Sequence, residues 1–275
     1  GLLMWYKKMA ASSTYESLKN IKFDLEGNLL LVGFFIDTLV IGNCPTCDTI
    51  RGTDKVSNFI AKADMNGNII WSKGIIGNHN ATRISRIEIN HNAYYFGGSY
   101  IGNMFFDEDT LESLGNYYDN FIYKTDLFGN DNWVRTISGS SIETFRNIRT
   151  DIYGNVYVLG NYSSSTLYVD STQNIIVEKP LGTADSDPFI GKYNKSGNLQ
   201  WFISRSSAGK DIYMDFSVIG DVIYATGFFT NQLIFNQDTI TTSGTSNEDA
   251  FLAAFNSIGD PISGTSIKGT GDFND

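Results

Sequence analysis

Proline and cysteine are scarce, at 4 and 2 residues among 275. Histidine occurs only as His79 and His91, both in polar, turn-like stretches, and no nucleophile elbow is present. A Ser-His-Asp or histidine-metal mechanism therefore has almost no material to work with. Charged residues make up only 18%, which argues against a helical bundle or coiled coil, whose outer faces need Glu, Lys and Arg. There is no basic run, and 20 basic against 30 acidic residues leave a net charge of −10. That balance argues against a nucleic-acid partner. No stretch approaches the roughly 18–20 apolar residues of a membrane span.

What is abundant is aromatic and glycine: 19 Phe, 15 Tyr and 27 Gly, in a chain that is 41% hydrophobic. This is the composition of short strands joined by tight turns. Three markers then repeat. Trp5, Trp71, Trp133 and Trp201 lie 66, 62 and 68 residues apart. Gly33, Gly98, Gly160 and Gly227, each within or closing an aromatic or aliphatic run, lie 65, 62 and 67 apart. Phe59, Phe121, Phe189 and Phe251, each opening a later run, lie 62, 68 and 62 apart. Three markers with one period make a tandem repeat.

Each unit reads alike. An alternating run such as Arg83–Ile89 leads to a turn, then to the strand that carries the Gly. A variable stretch with its own small hairpin follows. The Phe strand and a second turn (Asp64-Met-Asn-Gly-Asn, Asp126-Leu-Phe-Gly-Asn, Asn194-Lys-Ser-Gly-Asn) lead to the Trp strand. Asp or Asn at the first turn position accepts hydrogen bonds from the turn backbone, and Gly three residues on takes positive φ. Such turns join antiparallel neighbours, and no helical period appears. The expected fold is an all-β propeller with four-stranded antiparallel blades of 62–68 residues. Four blades fall at roughly residues 14–76, 77–138, 139–206 and 207–268, within a single domain. Met4–Lys8 reads as the closing strand of an earlier blade, and Gly269–Asp275 as the start of another. The expectation is a longer chain whose ring has five or more blades, with a four-bladed ring as the alternative.

These units resemble the bacterial SBBP-type β-propeller repeat. Asp151, Gly154, Asn155, Val156, Tyr157, Val158 and Gly160 match the first half of its pattern. Asp187, Phe189, Ile190, Lys192, Tyr193, Asn194, Gly197, Asn198 and Trp201 match the second. Asn90-His91-Asn92 and Ala254 depart from it. The resemblance implies a secreted or cell-surface protein of the kind found in Bacteroidota, often exported by type IX secretion. It implies no common activity.

Each candidate site residue has a structural reading beside its functional one. Cys44 and Cys47, the only cysteines, are expected to form a local disulfide at a hairpin tip, which places the chain in an oxidising compartment. Asp107, Glu108, Asp109 and Glu112 form an acidic cluster in one hairpin, open to carboxylate catalysis or calcium. The Asp64 turn resembles part of a calcium loop, but its recurrence with changed acids is explained without metal, and no cofactor is expected. Asp119, Asp187 and Asp249, with Ser57 in their place in the first blade, precede the Phe strand and read as backbone caps. Thr38, Thr49, Thr110 and Thr239 each sit in Asp-Thr-Leu or Asp-Thr-Ile, which resembles the O-glycosylation signal of Bacteroidota secreted proteins, as Asp170-Ser171-Thr172 does more weakly. A hairpin turn explains the same residues structurally. Tyr100, Tyr117, Tyr118 and Tyr162 are open to stacking on sugars or to packing in the core.

The expected function is a non-catalytic extracellular scaffold that binds protein or glycan at the cell surface, with the secretion machinery as a further partner. The alternatives are a carbohydrate-active hydrolase or lyase using carboxylates on the blade loops, and a passive spacer in a large adhesin.

Overall fold

The computed structural model describes residues 6, 9–12, 15–42, 44–45, 47–169, 175–178, 186–204, 210–235, 238–242 and 248–267. The flanking-strand readings at Met4–Lys8 (Tyr6 apart) and Gly269–Asp275, and the weak Ser171 motif, lie outside the described residues. The chain forms two compact units, Gly1–Thr136 and Ile137–Asp275. Among the described residues there is no helix, and the strands pair antiparallel throughout.

The first unit opens with the two-residue β1 (Ala10–Ala11). Repeat 1 follows as a meander of β2 (Ser17–Phe23), β3 (Leu29–Ile41), β4 (Asp48–Ala63) and β5 (Ile69–Gly77). Repeat 2 has β6 (Arg83–Asn90) and β7 (Ala93–Tyr100), a small hairpin of β8 (Asn103–Phe105) and β9 (Thr110–Glu112), then β10 (Asp119–Thr125) and β11 (Asp131–Gly139). Its four main strands lie in the order β6-β7-β10-β11.

The second unit holds two more such meanders. Repeat 3 is β12 (Glu143–Thr150), β13 (Val156–Tyr162), the hairpin β14 (Thr166–Val169) and β15 (Ile175–Glu178), β16 (Asp187–Tyr193) and β17 (Leu199–Ser204). Repeat 4 is β18 (Asp211–Ile219), β19 (Val222–Thr230), the hairpin β20 (Gln232–Phe235) and β21 (Asp238–Thr241), β22 (Glu248–Asn256) and β23 (Pro261–Ile267). The small hairpin is inserted between the second and third main strands each time. In repeat 1 it is fused into the far ends of β3 and β4, where Thr38–Ile41 pair with Asp48–Arg51.

The sequence markers acquire physical causes here. The recurrent Gly and the recurrent Phe are direct cross-strand partners: Gly33 with Phe59, Gly98 with Phe121, Gly160 with Phe189 and Gly227 with Phe251. A Cβ on Gly160 would sit 2.5 Å from the Phe189 ring and 2.5 Å from the Thr144 carbonyl oxygen. The phenyl ring fills the space the glycine leaves, so neither residue can change alone.

The turns follow from their first residue. At Asp24, Asp64, Asp126, Asp151, Asn194 and Asn256 the side-chain oxygen accepts N–H bonds from the residues two and four further on, at 2.7–3.1 Å. The glycine three residues on has φ between +74° and +88° in all six. Each of these side chains is thus committed to ordering its own hairpin turn.

Successive repeats are stitched together in one direction. The Trp71 indole N–H donates to the Leu127 carbonyl in the last turn of repeat 2, at 3.3 Å. Trp201 donates to Ser257 in the same turn of repeat 4, at 2.9 Å. Both rings lie against the turn glycine, Gly129 or Gly259, where a Cβ would come within 3.1–3.2 Å. The inserted hairpin returns the contact: β8 of repeat 2 pairs with the end of β5, and β14 of repeat 3 with the end of β11. β1 pairs with β3 at Leu39 and Val40, within the hairpin portion of repeat 1. β1 therefore takes the place that β5 and β11 take on later hairpins.

Buried side chains fill the spaces between sheets. Tyr157, Leu159 and Ile190 of repeat 3 pack on Tyr213, Phe216, Ile223, Phe251 and Phe255 of repeat 4. In the first unit Leu30, Val32 and Ile60 pack with Tyr94, Phe96, Phe121 and Tyr123. Tyr100 and Tyr162 are fully buried, which corrects the sugar-stacking option for these two. They close against the phenyl rings of Phe121 and Phe189. Tyr117 and Tyr118 remain exposed.

Candidate functional site

A buried polar site lies between repeats 1 and 2. The Lys62 side chain, on β4, is 7% exposed, and the Asp24 side chain, in the turn after β2, is 4% exposed; their Nζ and Oδ2 atoms are 2.9 Å apart. Glu26 adds a second carboxylate 3.2 Å from the ammonium. Tyr94 of repeat 2 donates its hydroxyl to Asp24 Oδ2 at 2.9 Å. A shallow pocket over these groups is lined by Leu25, Glu26, Ile89, His91 and Leu127. Its cavity of about 50 Å³ is far below the roughly 300–1,000 Å³ of small-molecule sites.

Burial alone would raise the Asp24 carboxyl. Hydrogen bonds from Lys62, the Asn28 backbone, Tyr94 and the Asn28 side chain outweigh it and hold the group at about 2. Burial alone would lower Lys62, but Tyr94, Asp24 and Glu26 together push it above the ordinary lysine range. Tyr94 is itself raised by burial. Each shift moves its group's titration further from pH 7: Asp24 stays ionised, Lys62 stays protonated and Tyr94 stays a neutral phenol. The arrangement is an electrostatic lock between two sheets. Sequence reasoning missed it; the one available signal was the Lys recurring in three of the four Phe strands, as Lys62, Lys124 and Lys192.

A second lock joins the same repeats nearer the inserted hairpin. Lys73 of β5 pairs with Asp107 at 2.7 Å and also with Asp131. Asp131 accepts the Tyr123 hydroxyl, and burial followed by Asp131 raises that phenol well above its ordinary value. Asp107 is thus drawn out of the acidic cluster into a structural contact. Glu108, Asp109 and Glu112 stay exposed on the hairpin.

The remaining sequence candidates are dispersed. Cys44 and Cys47 are joined by a disulfide at the tip of the β3–β4 hairpin, with a Cα–Cα distance of 4.5 Å. Thr49, Thr110 and Thr239 are exposed at the start of each hairpin's return strand, and Thr38 is half-buried on the outgoing one. The residue after each threonine points the other way: Leu39 and Leu111 are buried, and Ile50 and Ile240 pack against the cores. Strand alternation with an apolar inner face thus accounts for the Asp-Thr-Leu/Ile recurrence. Asp119 is buried, and its Oδ2 accepts the Leu114 N–H at 2.6 Å, ordering the loop before β10. Asp187, Asp249 and Ser57 are buried at the matching places. His79 and His91 are exposed. Among the described residues no three His, Cys, Asp or Glu side chains converge in a way that would hold a metal ion.

No family model matches the chain. Over 154 residues, 50% of the chain, it is 28% identical to an uncharacterized WD repeat-containing protein of Acanthamoeba polyphaga mimivirus. The match covers 11% of that protein's length. WD repeats build propellers from four-stranded blades. Together with the four-stranded antiparallel meanders, this likeness points to a propeller.

Proposed function

We propose that this chain belongs to a β-propeller of five or more blades, related to the SBBP-type repeat proteins. On this reading it acts outside the cell as a non-catalytic scaffold that binds a protein or glycan at the cell surface. One observation carries the reading. The turn between the third and fourth main strands is nearly the same in sequence and geometry in every repeat, while the inserted hairpins differ in length, charge and tip chemistry. A rigid framework with variable loops is how binding surfaces are displayed. Two further observations support it: β1 occupies the place of a preceding repeat's last strand, and a disulfide fits an oxidising compartment. Thr38, Thr49, Thr110 and Thr239 are the positions at which glycans would be carried, and the exposed three suit this best.

The test has two arms. Purified protein is screened for binding to a glycan array and to cell-surface extracts, and for turnover on a panel of glycosides and polysaccharides. Binding that is lost on exchanging one inserted hairpin for another, without turnover, supports the scaffold. Turnover abolished by Asp109→Ala would replace it with the carbohydrate-active enzyme. Mass spectrometry of natively produced protein adds the compartment: free thiols at Cys44 and Cys47 with unmodified threonines would remove the extracellular assignment.

A further inference from the structure

Although the chain is acidic overall, six of its 20 basic residues fall on β2, β6 and β12, the first strands of three repeats. These are Lys19, Lys22, Arg83, Arg86, Arg146 and Arg149. Two are neutralised across adjacent repeats: Lys22 pairs with Glu88, and Arg149 with Asp215 at 3.3 Å. In the first unit Lys19, Arg83 and Arg86 are treated differently. Arg83 donates to the Asn80 and Thr82 carbonyls at 3.3 and 2.7 Å and to the Tyr15 hydroxyl at 3.2 Å. Arg86 donates to the Ser85 carbonyl at 3.0 Å. The Lys19 ammonium stands 5.0 Å from the Phe34 ring centroid, and the Arg83 guanidinium 4.1 Å from the same centroid. Every one of these partners is neutral. Among the described residues no carboxylate forms an ion pair with any of the three.

Acids are not in short supply here, since 30 are present and the matched strands do recruit Glu88 and Asp215. Lys19 and Arg83 share the Phe34 ring, and Arg86 shares the Ser85 carbonyl with the side-chain amide of Asn20, the residue after Lys19, at 3.0 and 3.2 Å; cations gathered along β2 and β6 in this way repel one another, and an anion arriving from solution relieves that repulsion. The cluster also has a shape. Each first strand carries a β-bulge, and in repeat 1 the extra residue is Lys19, which is exposed. Beside it Tyr15, 50% exposed, lies 5.2 Å from the Phe34 ring. The Arg83 guanidinium also stands 5.9 Å from the Tyr15 ring centroid, so the exposed part of the tyrosine borders a cation. That pairing suits a ring that carries a carboxylate: the sugar's C–H face lies on the exposed part of the tyrosine, and its carboxylate meets the Lys19 ammonium and the guanidinium donors that Arg83 has left.

We infer that Tyr15, Lys19, Arg83 and Arg86 form a binding subsite for an acidic saccharide of the uronate class. This rests on the scaffold reading above and names the ligand chemistry of one surface within it.

The probe is polygalacturonate, titrated into the full chain by calorimetry at about 20 and 300 mM salt. Dextran serves as the neutral sugar, and poly-L-glutamate as an acid without a ring. Polygalacturonate is expected to bind and to weaken several-fold at the higher salt, with dextran silent and poly-L-glutamate clearly weaker. Lys19→Gln and Arg86→Gln are each expected to weaken binding roughly fivefold, as for partly exposed charge contacts. Arg86 bonds only to its own strand, and the exposed Lys19 meets β3 only through its contact with the Phe34 ring, so melting that changes little in both variants checks the fold. Tyr15→Leu is expected to narrow the preference for polygalacturonate over poly-L-glutamate. No polygalacturonate binding, equal binding of dextran, or an unchanged Lys19→Gln/Arg86→Gln double variant overturns the subsite. Equal affinity for poly-L-glutamate overturns the sugar in favour of an acidic polypeptide. Hairpin-dependent binding of another partner, with this cluster idle, would sink the subsite while leaving the scaffold standing.

Discussion

Replacing Lys62 by Met tests the lock between repeats 1 and 2. The substitution keeps the aliphatic volume and leaves Asp24, whose side chain is 4% exposed, without its buried counter-charge. Removing one partner of a buried pair costs about 3–5 kcal/mol, which for a unit of this size lowers the melting temperature by about 10 °C. The pH dependence distinguishes this cause from simple loss of packing. In the native protein the Asp24 carboxyl lies at about 2, below an unfolded value of about 3.9. Its contribution is therefore complete above pH ~4 and is lost as the pH falls towards 2, and at about 1.36 kcal/mol per pH unit it amounts to about 2.6 kcal/mol. In the variant, burial acts on the carboxyl with less opposition and moves it upward. Protonation then removes a buried charge, so acid stabilises the variant relative to the native chain. The stability gap between the two proteins should thus narrow from pH 7 to pH 3 in urea unfolding. A gap under about 1 kcal/mol at pH 7, or one that stays constant with pH, would refute the electrostatic account. The double variant Lys62→Met/Asp24→Asn should recover more than half of the loss. Repeat 4 is a natural counterpart: it has Ala254 at the lysine position, and its first turn, Ile219-Gly220-Asp221, does not begin with Asp.

Further outcomes follow from the stitches and the paired markers. Gly227→Ala places a Cβ 1.9 Å from the Ile212 carbonyl oxygen and should cost at least about 3 kcal/mol in thermal or urea unfolding. Gly220→Ala, with no atom within 4 Å but φ of +59°, should cost only about 1 kcal/mol. Trp201→Phe removes the indole donor to Ser257 and part of the contact with Gly259; a loss of about 1–2 kcal/mol is expected, against almost none for Gln200→Ala on the exposed neighbouring position.

The repeat was legible because its markers are positions where backbone geometry leaves few choices. A glycine under a phenyl ring and an Asx residue at a two-strand turn recur whenever the unit recurs, and both are local or nearly so. The direction of the stitching was not legible, because Trp71 and Leu127 are 56 residues apart and nothing in either residue names the other. The fates of Tyr100 and Tyr162 were equally hidden. Strand alternation says that a side chain faces one side of a sheet, and only the neighbouring sheet decides whether that side meets water. The Asp24–Lys62–Tyr94 site escaped for a third reason. Asp24 looks like any other turn residue and Lys62 like any other repeat lysine, and only their burial together turns two ordinary positions into a charged contact that must be kept whole.

The one-way stitch also bears on how such a chain can grow. The last strands β5 and β11 find part of their pairing, and Trp71 and Trp201 find their acceptors, in the repeat that follows. A unit cut at its sheet boundaries is therefore not self-sufficient: it would leave an indole donor and a strand edge facing water. Duplication is safe only when the new copy brings both its own tryptophan and a hairpin able to clasp its predecessor. Drift is then constrained in pairs that straddle neighbouring copies, and the inherited module is offset from the visible sheet, with one foot in each of two adjacent repeats.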